Sequence, residues 1–127
     1  MTGNAELPEG LRDLVNRHLS TMDHVAVLLE LRERAEQPGL PADVARATRL
    51  DDAVAARVLR DLVHAHLVVR DGERVRYDPP LGVRPAVDEL AEMNRRKPVT
   101  LVKAIYARPP RAVQSFADAF RLRGSGE

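Results

Sequence analysis

Arginine dominates the chemistry this chain can offer. Of 20 basic side chains only two, Lys97 and Lys103, are lysines, so the remaining 18 are arginines. A guanidinium offers planar, bidentate donors that suit phosphate or carboxylate. Arg- and Ala-rich usage also follows from GC-rich coding, with no binding role behind it. In "RDGERVRY", residues 70 to 77, Arg74 and Arg76 alternate, with Arg70 close by. In an extended strand alternate residues project the same way, so this pair could grip phosphates, or could be an ordinary solvated strand face. Arg95, Arg96 and Lys97 form a second cluster with no acid within it. That cluster suits phosphate, or equally the negative end of a helix.

Other chemistries fit poorly. His64 and His66 are two residues apart, which on a helix turns them to different faces, whereas helical metal ligands need a spacing of three or four. His18 and His24 are distant in sequence and there is no Cys, so no metal site is expected. No glycine-rich phosphate loop, nucleophile elbow or spaced carboxylate pair is present, so neither an enzyme nor a cofactor is expected. Asp51 and Asp52 are simplest as a helix cap, since a carboxylate accepts from free amides at the positive end of the dipole. The 127 residues, 44% apolar and 3% aromatic, suit one mostly helical core rich in Leu, Val and Ala. No apolar run approaches the roughly 20 residues of a membrane span, and "MTGNAELPEG" lacks the regions of a signal peptide, so the expected location is cytoplasmic. Net charge is +1, yet residues 1 to 63 hold 8 basic and 11 acidic side chains while 64 to 127 hold 12 and 8.

The elements that must position these residues follow from periodicity. Leu11, Leu14, Val15 and Leu19 predict a first helix over about 8 to 18. "STMD" at 20 to 23 sets a hydroxyl three residues before an acid, a capping box opening "HVAVLLELRER". Val25, Leu28, Leu29 and Arg32 share a stripe that Val27 and Leu31 widen, so this second helix is buried on more than one side. "EQPGLP" stops it, and "LPADVARATRL" predicts a short helix with Val44 and Ala45 inward. After the turn "TRLDD", Ala55, Val58, Leu59 and Leu62 mark the next helix, which ends near residues 64 to 66. The period then becomes two. "LVVR" and "ERVRY" flank Asp71-Gly72, a two-residue hairpin turn that pairs Arg70 with Glu73 and Val68 with Val75. Val68, Val75 and Tyr77 then share one face, opposite Arg74 and Arg76.

"DPPLGVRP" at 78 to 85 is the best boundary in the chain. It divides residues 1 to 78 from a helical extension over 79 to 127, intended for dimerisation or partner binding. In the extension "AVDELAEMNRR" and "PVTLVKAIYA" read as helices, and Val113, Phe116, Ala117 and Phe120 share a stripe in "RAVQSFADAFRLR".

The order helix, short helix, helix, hairpin, centred on "LPADVARATRLDDAVAARVLRDLVHAHLVVRDGERVRY", resembles the winged helix-turn-helix superfamily over about residues 20 to 78. The likeness is closest to bacterial regulators of the MarR and ArsR kinds. It implies a mainly α fold with a two-stranded wing, acting as a homodimer on double-stranded DNA, with the second helix of the motif in the major groove. It places Asp52, Ala53, Val54, Ala56 and Arg57 toward bases, Arg57 and Arg60 in the groove, and Arg70, Arg74 and Arg76 on phosphates. Of the residues nearest the helix start only Arg57 donates hydrogen bonds, while Ala and Val can meet a thymine methyl. Where the family commonly has Gly after the reading helix this chain has His66, so a different turn is expected there. The dimer is expected to form through the outlying stripes Leu11, Leu14, Val15 and Val113, Phe116, Phe120. The alternative is a winged helix that binds a protein through an apolar patch of Ala53, Val54 and Ala56, which the acids at the helix start favour. No membrane partner is expected, because Pro98, Pro109 and Pro110 divide the helix such binding would use.

Overall fold

A computed structural model of the chain describes residues 7–34 and 37–107. The stripe of Val113, Phe116, Ala117 and Phe120 lies outside the described residues. Six helices and one hairpin follow in the order α1 (Glu9–His18), α2 (Met22–Arg34), α3 (Pro41–Thr48), α4 (Asp52–His64), β1 (Val68–Asp71), β2 (Arg74–Tyr77), α5 (Arg84–Arg96) and α6 (Pro98–Ala107). This is a winged helix-turn-helix layout: α2, α3 and α4 pack against one another, and the antiparallel hairpin leaves the end of α4.

Thr21, rather than Ser20, opens α2. Its hydroxyl accepts the His24 amide at 3.3 Å, and its carbonyl accepts the Val25 amide. The cap is one residue later than the "STMD" spacing predicts, because His24, not Asp23, occupies the third helical position. Val25, Val27, Leu28 and Leu31 are all buried, as a helix covered on two sides requires. Pro41 starts α3, whose Val44 and Ala45 face the core, and α4 turns Ala55, Val58, Leu59 and Leu62 inward.

Both α3 and α4 end in a Schellman turn. The Leu50 amide reaches the Ala45 carbonyl at 2.9 Å and the Leu67 amide reaches the Leu62 carbonyl at 3.0 Å. Such a turn needs a left-handed residue one position earlier, which is Arg49 (φ 61°) in the first and His66 (φ 64°) in the second. The turn at His66 is therefore the one that glycine usually makes; the expectation of a different turn is corrected. Histidine is among the side chains that tolerate this region best, and six-to-one bonding holds it there.

The hairpin register differs by one residue on each strand. Asp71 pairs with Arg74 and Val68 with Tyr77, so the loop is Gly72-Glu73. Only its first position has positive φ, Gly72 at 66°, the pattern of a II′ turn. Moving both strands by one residue leaves every side chain on its predicted face: Val68, Val75 and Tyr77 on one, Arg74 and Arg76 on the other. Gly39 adds a one-residue bridge on the free edge of β2, exchanging bonds of 2.9 and 2.8 Å with Val75. The α2–α3 connection thereby fixes the hairpin.

The helices outside the motif fold back on the same core. Leu11, Leu14 and Val15 of α1 and Val87, Leu90, Leu101, Ala104 and Ile105 of α5 and α6 join one buried cluster with Leu28, Leu59 and Val75. The α1 stripe expected to hold a dimer together is thus consumed within the chain, since one contiguous core leaves those side chains no outer surface. The 78 to 85 stretch is tied down as well: Arg84 bonds Asp78 at 3.1 Å and the Pro79 carbonyl at 3.1 Å, and its guanidinium lies 5.6 Å over the Tyr77 ring. Burial, then the nearby Asp88, push the Tyr77 phenol above its ordinary pKa.

Candidate nucleic-acid interface

On α4 the residues away from the core recur at helical spacing: Ala53, Arg57, Arg60 and His64 form an exposed stripe opposite Ala55, Val58, Leu59 and Leu62. That stripe carries no acid. Asp52 stands at the first helical position, roughly a third of a turn round from the stripe at 100° per residue. Asp51 holds the N-cap position with an extended backbone, but its carboxylate makes no capping hydrogen bond. The acids therefore act on α4 as charges at the positive end of its dipole, not as the hydrogen-bonded cap expected of them. Val54 is half-buried and packs against the core. Its position on the helix, between the core face and the exposed stripe, leaves only part of the side chain open to a base or a partner, beside the exposed Ala53 and Ala56.

Most arginines of the fold are already engaged. Arg17 pairs with Asp13, Arg32 with Asp88, Arg34 with Glu30, Arg46 with Asp43, and Arg76 and Arg84 share Asp78. Glu92 accepts from both Arg95 and Arg96. The hydrogen bond from Arg95 holds the Glu92 carboxyl below its ordinary pKa, and the same bond raises Arg95. The basic cluster at the end of α5 thus has its acid one turn upstream, which the spacing of three and four residues could have announced. Among the described residues, Arg49, Arg57, Arg60, Arg70 and Arg74 make no ion pair, a state they share with Arg12 of α1. All five belong to the α3–α4 turn, the outer stripe of α4 or the hairpin.

The predicted wing residues do not act alike. Arg74 is exposed and unpaired on one face of the hairpin. Arg76, on the same face, is half-buried and lies 3.7 Å from Asp78. Arg70 is exposed on the opposite face, across from Val75.

One polar connection of α4 has no sequence signal, because its partners are 37 residues apart. His24 is buried, its Nε2 lies 2.9 Å from Asp61 Oδ2 and its Nδ1 lies 2.7 Å from the Thr21 hydroxyl. A carboxylate only accepts, so Nε2 donates to Asp61, and in the neutral ring the Thr21 hydroxyl donates to Nδ1. This chain of bonds fixes α4 against the start of α2 beside a cleft of about 390 Å³ lined by Asn16, His18, Ser20 and His64. Tyr106 adds to the same end of α2, its hydroxyl accepting the Met22 amide at 2.9 Å. Among the described residues no group of three or more His, Cys, Asp or Glu could hold a metal ion, and no helix is long and apolar enough to cross a membrane.

No family model matches the chain, and no curated protein matches it. Two of the solved structures similar to it bear comparison. One is a candidate transcriptional regulator from Pseudomonas aeruginosa, 21% identical, with a TM-score of 0.47 over 92% of this chain and 83% of that one. The other is a point mutant of MepR from S. aureus bound to an oligodeoxyribonucleotide, 16% identical, with a TM-score of 0.48 over 92% of this chain and 90% of that one. Likeness at this level carries no functional weight, which rests on the geometry of the chain itself.

Proposed function

We propose that the protein is a DNA-binding transcriptional regulator that acts as a winged-helix homodimer. The observation that carries the reading is the segregation of unpaired guanidinium groups. Arg57 and Arg60 on the outer stripe of α4, with Arg70 and Arg74 on the hairpin, lack carboxylate partners among the described residues, whereas most other arginines have one. A guanidinium without an internal partner is free to exchange counterions for phosphates, the main source of affinity for duplex DNA. In this reading α4 enters the major groove with Ala53 and Arg57 toward bases, Arg60 follows the groove, and Arg70 and Arg74 hold backbone, with Arg76 contributing after release from Asp78. Asp51 and Asp52 restrain affinity and so keep nonspecific binding low.

Two half-sites demand two copies. With the α1 stripe buried, the surface among the described residues that suits a dimer is the outer side of α6, where Val99, Val102 and Tyr106 are exposed at spacings of three and four residues. The test of function is a salt titration of the full chain against pooled duplex genomic fragments. The expected result is binding whose log affinity falls linearly with log salt and whose bound pool becomes enriched in particular sequences. Binding that is absent at low salt rejects the DNA reading in favour of a protein-docking winged helix.

A further inference from the structure

Among the described residues, the two non-glycine residues with left-handed backbones bracket α4: Arg49 just before it and His66 just after. An L side chain in this conformation crowds its own carbonyl, and glycine at the same position of a Schellman turn removes the conflict. At Arg49 the fold draws no return from the side chain. Arg49 is exposed and makes neither an ion pair nor a side-chain hydrogen bond among the described residues, even with Asp51 and Asp52 close in sequence. Its neighbour Arg46, on the last turn of α3, is by contrast paired with Asp43. A strained backbone retained for a side chain without an internal role points to an external partner. The placement identifies that partner's chemistry, because Arg49 forms the turn that leads into the cationic stripe of α4.

We propose that Arg49 is a further binding residue of the interface and anchors a backbone phosphate of duplex DNA at the α3–α4 turn. The inference rests on the DNA-binding reading above. A guanidinium on a left-handed residue in a bonded turn has a fixed origin, so less backbone freedom is lost on contact than for an arginine on a mobile loop. The contact is with phosphate and carries no sequence information.

The test separates strain from contact by giving them opposite signs. Thermal unfolding and salt-dependent binding to a duplex of about 30 base pairs, selected from the genomic pool, are measured for the parent, Arg49→Gly, Arg49→Asn, Arg49→Lys and His66→Gly. Arg49→Gly should raise Tm by about 4 °C, because it relieves the turn. The same variant should flatten the slope of log affinity against log salt by about 0.9, so that between 50 and 200 mM salt the parent loses roughly 3.5-fold more affinity than the variant. Arg49→Asn, which also tolerates the left-handed region and carries no charge, should give the same flattened slope. Arg49→Lys should keep the slope of the parent. His66→Gly should raise Tm and leave the slope alone, showing that stabilisation by itself does not alter binding. If the parent binds with a salt slope and Arg49→Gly and Arg49→Asn reproduce that slope, the phosphate anchor is overturned while the DNA reading stands. A parent that does not bind the duplex at low salt removes both.

Discussion

Asp61→Ala is the sharpest probe of how α4 is held. His24 is only 6% exposed, and its Nε2–H has one protein acceptor, the Asp61 carboxylate at 2.9 Å. A buried donor left without a partner costs about 1–3 kcal/mol. The Asp61 side chain is itself 49% exposed and borders the cleft of about 390 Å³, so water can take over part of the bond. That places the expected loss in the lower half of the range, about 1–1.5 kcal/mol. For a domain of this size it corresponds to a fall in Tm of about 4–6 °C. Asp61→Asn keeps an amide oxygen to accept the proton and should cost about 0.5 kcal/mol or less. Thermal unfolding followed by circular dichroism at pH 7 makes the comparison. In a His24→Leu background the step from Asp61 to Ala should become nearly neutral, because the donor is gone. The reasoning is refuted if Ala and Asn are equally harmful, or if Asp61→Ala unfolds at the temperature of the parent.

Asp52→Asn removes a charge from the start of α4 without touching a capping hydrogen bond; stability should move by well under about 1 kcal/mol, while DNA affinity rises by a factor that shrinks with added salt. Weaker binding at equal folding would mean that Asp52 reads a base, the amino group of cytosine being the suitable donor. Light scattering behind size exclusion should give a dimeric mass at micromolar concentration, and Val99→Glu with Val102→Glu should give a monomer with the Tm of the parent. A monomeric parent with intact termini would remove the dimer.

The helices were legible because each has a clear apolar period and a local stop. Leu11, Leu14 and Val15, or Ala55, Val58, Leu59 and Leu62, announce both the helix and the side it buries, and both sets are buried. Features set by a single residue or by distant partners were not legible. The hairpin slipped because Asp71-Gly72 and Gly72-Glu73 both supply a glycine at a loop position, and strand pairing chooses between them. The bridge between Gly39 and Val75 joins residues too few and too far apart to show any period. Thr21, His24 and Asp61 meet only once α2 and α4 are packed. At the candidate site the stripe of Arg57 and Arg60 could be placed from periodicity alone, but the half-burial of Val54 depends on where α4 meets the core. Which arginines are free depends on the acids the fold brings to them: Arg76 meets Asp78, whereas Arg74, two residues away, meets none among the described residues. Arg49 carries no mark in the sequence, because a turn residue other than glycine gives no hint that its backbone is left-handed.

The central claim is that the unpaired arginines of α4, and not basic charge in general, make the DNA interface. Its most direct test compares two double variants that remove equal charge: Arg57→Ala with Arg60→Ala on the outer stripe, and Arg95→Ala with Arg96→Ala, whose partner is Glu92. Salt-dependent binding to the same selected duplex is the readout. The first pair is expected to weaken binding to the selected duplex and to relax the preference for its sequence, because Arg57 faces bases and Arg60 follows the groove, while the second pair leaves affinity and preference unchanged. Equal losses from both pairs, or a loss confined to Arg95 and Arg96, would contradict it.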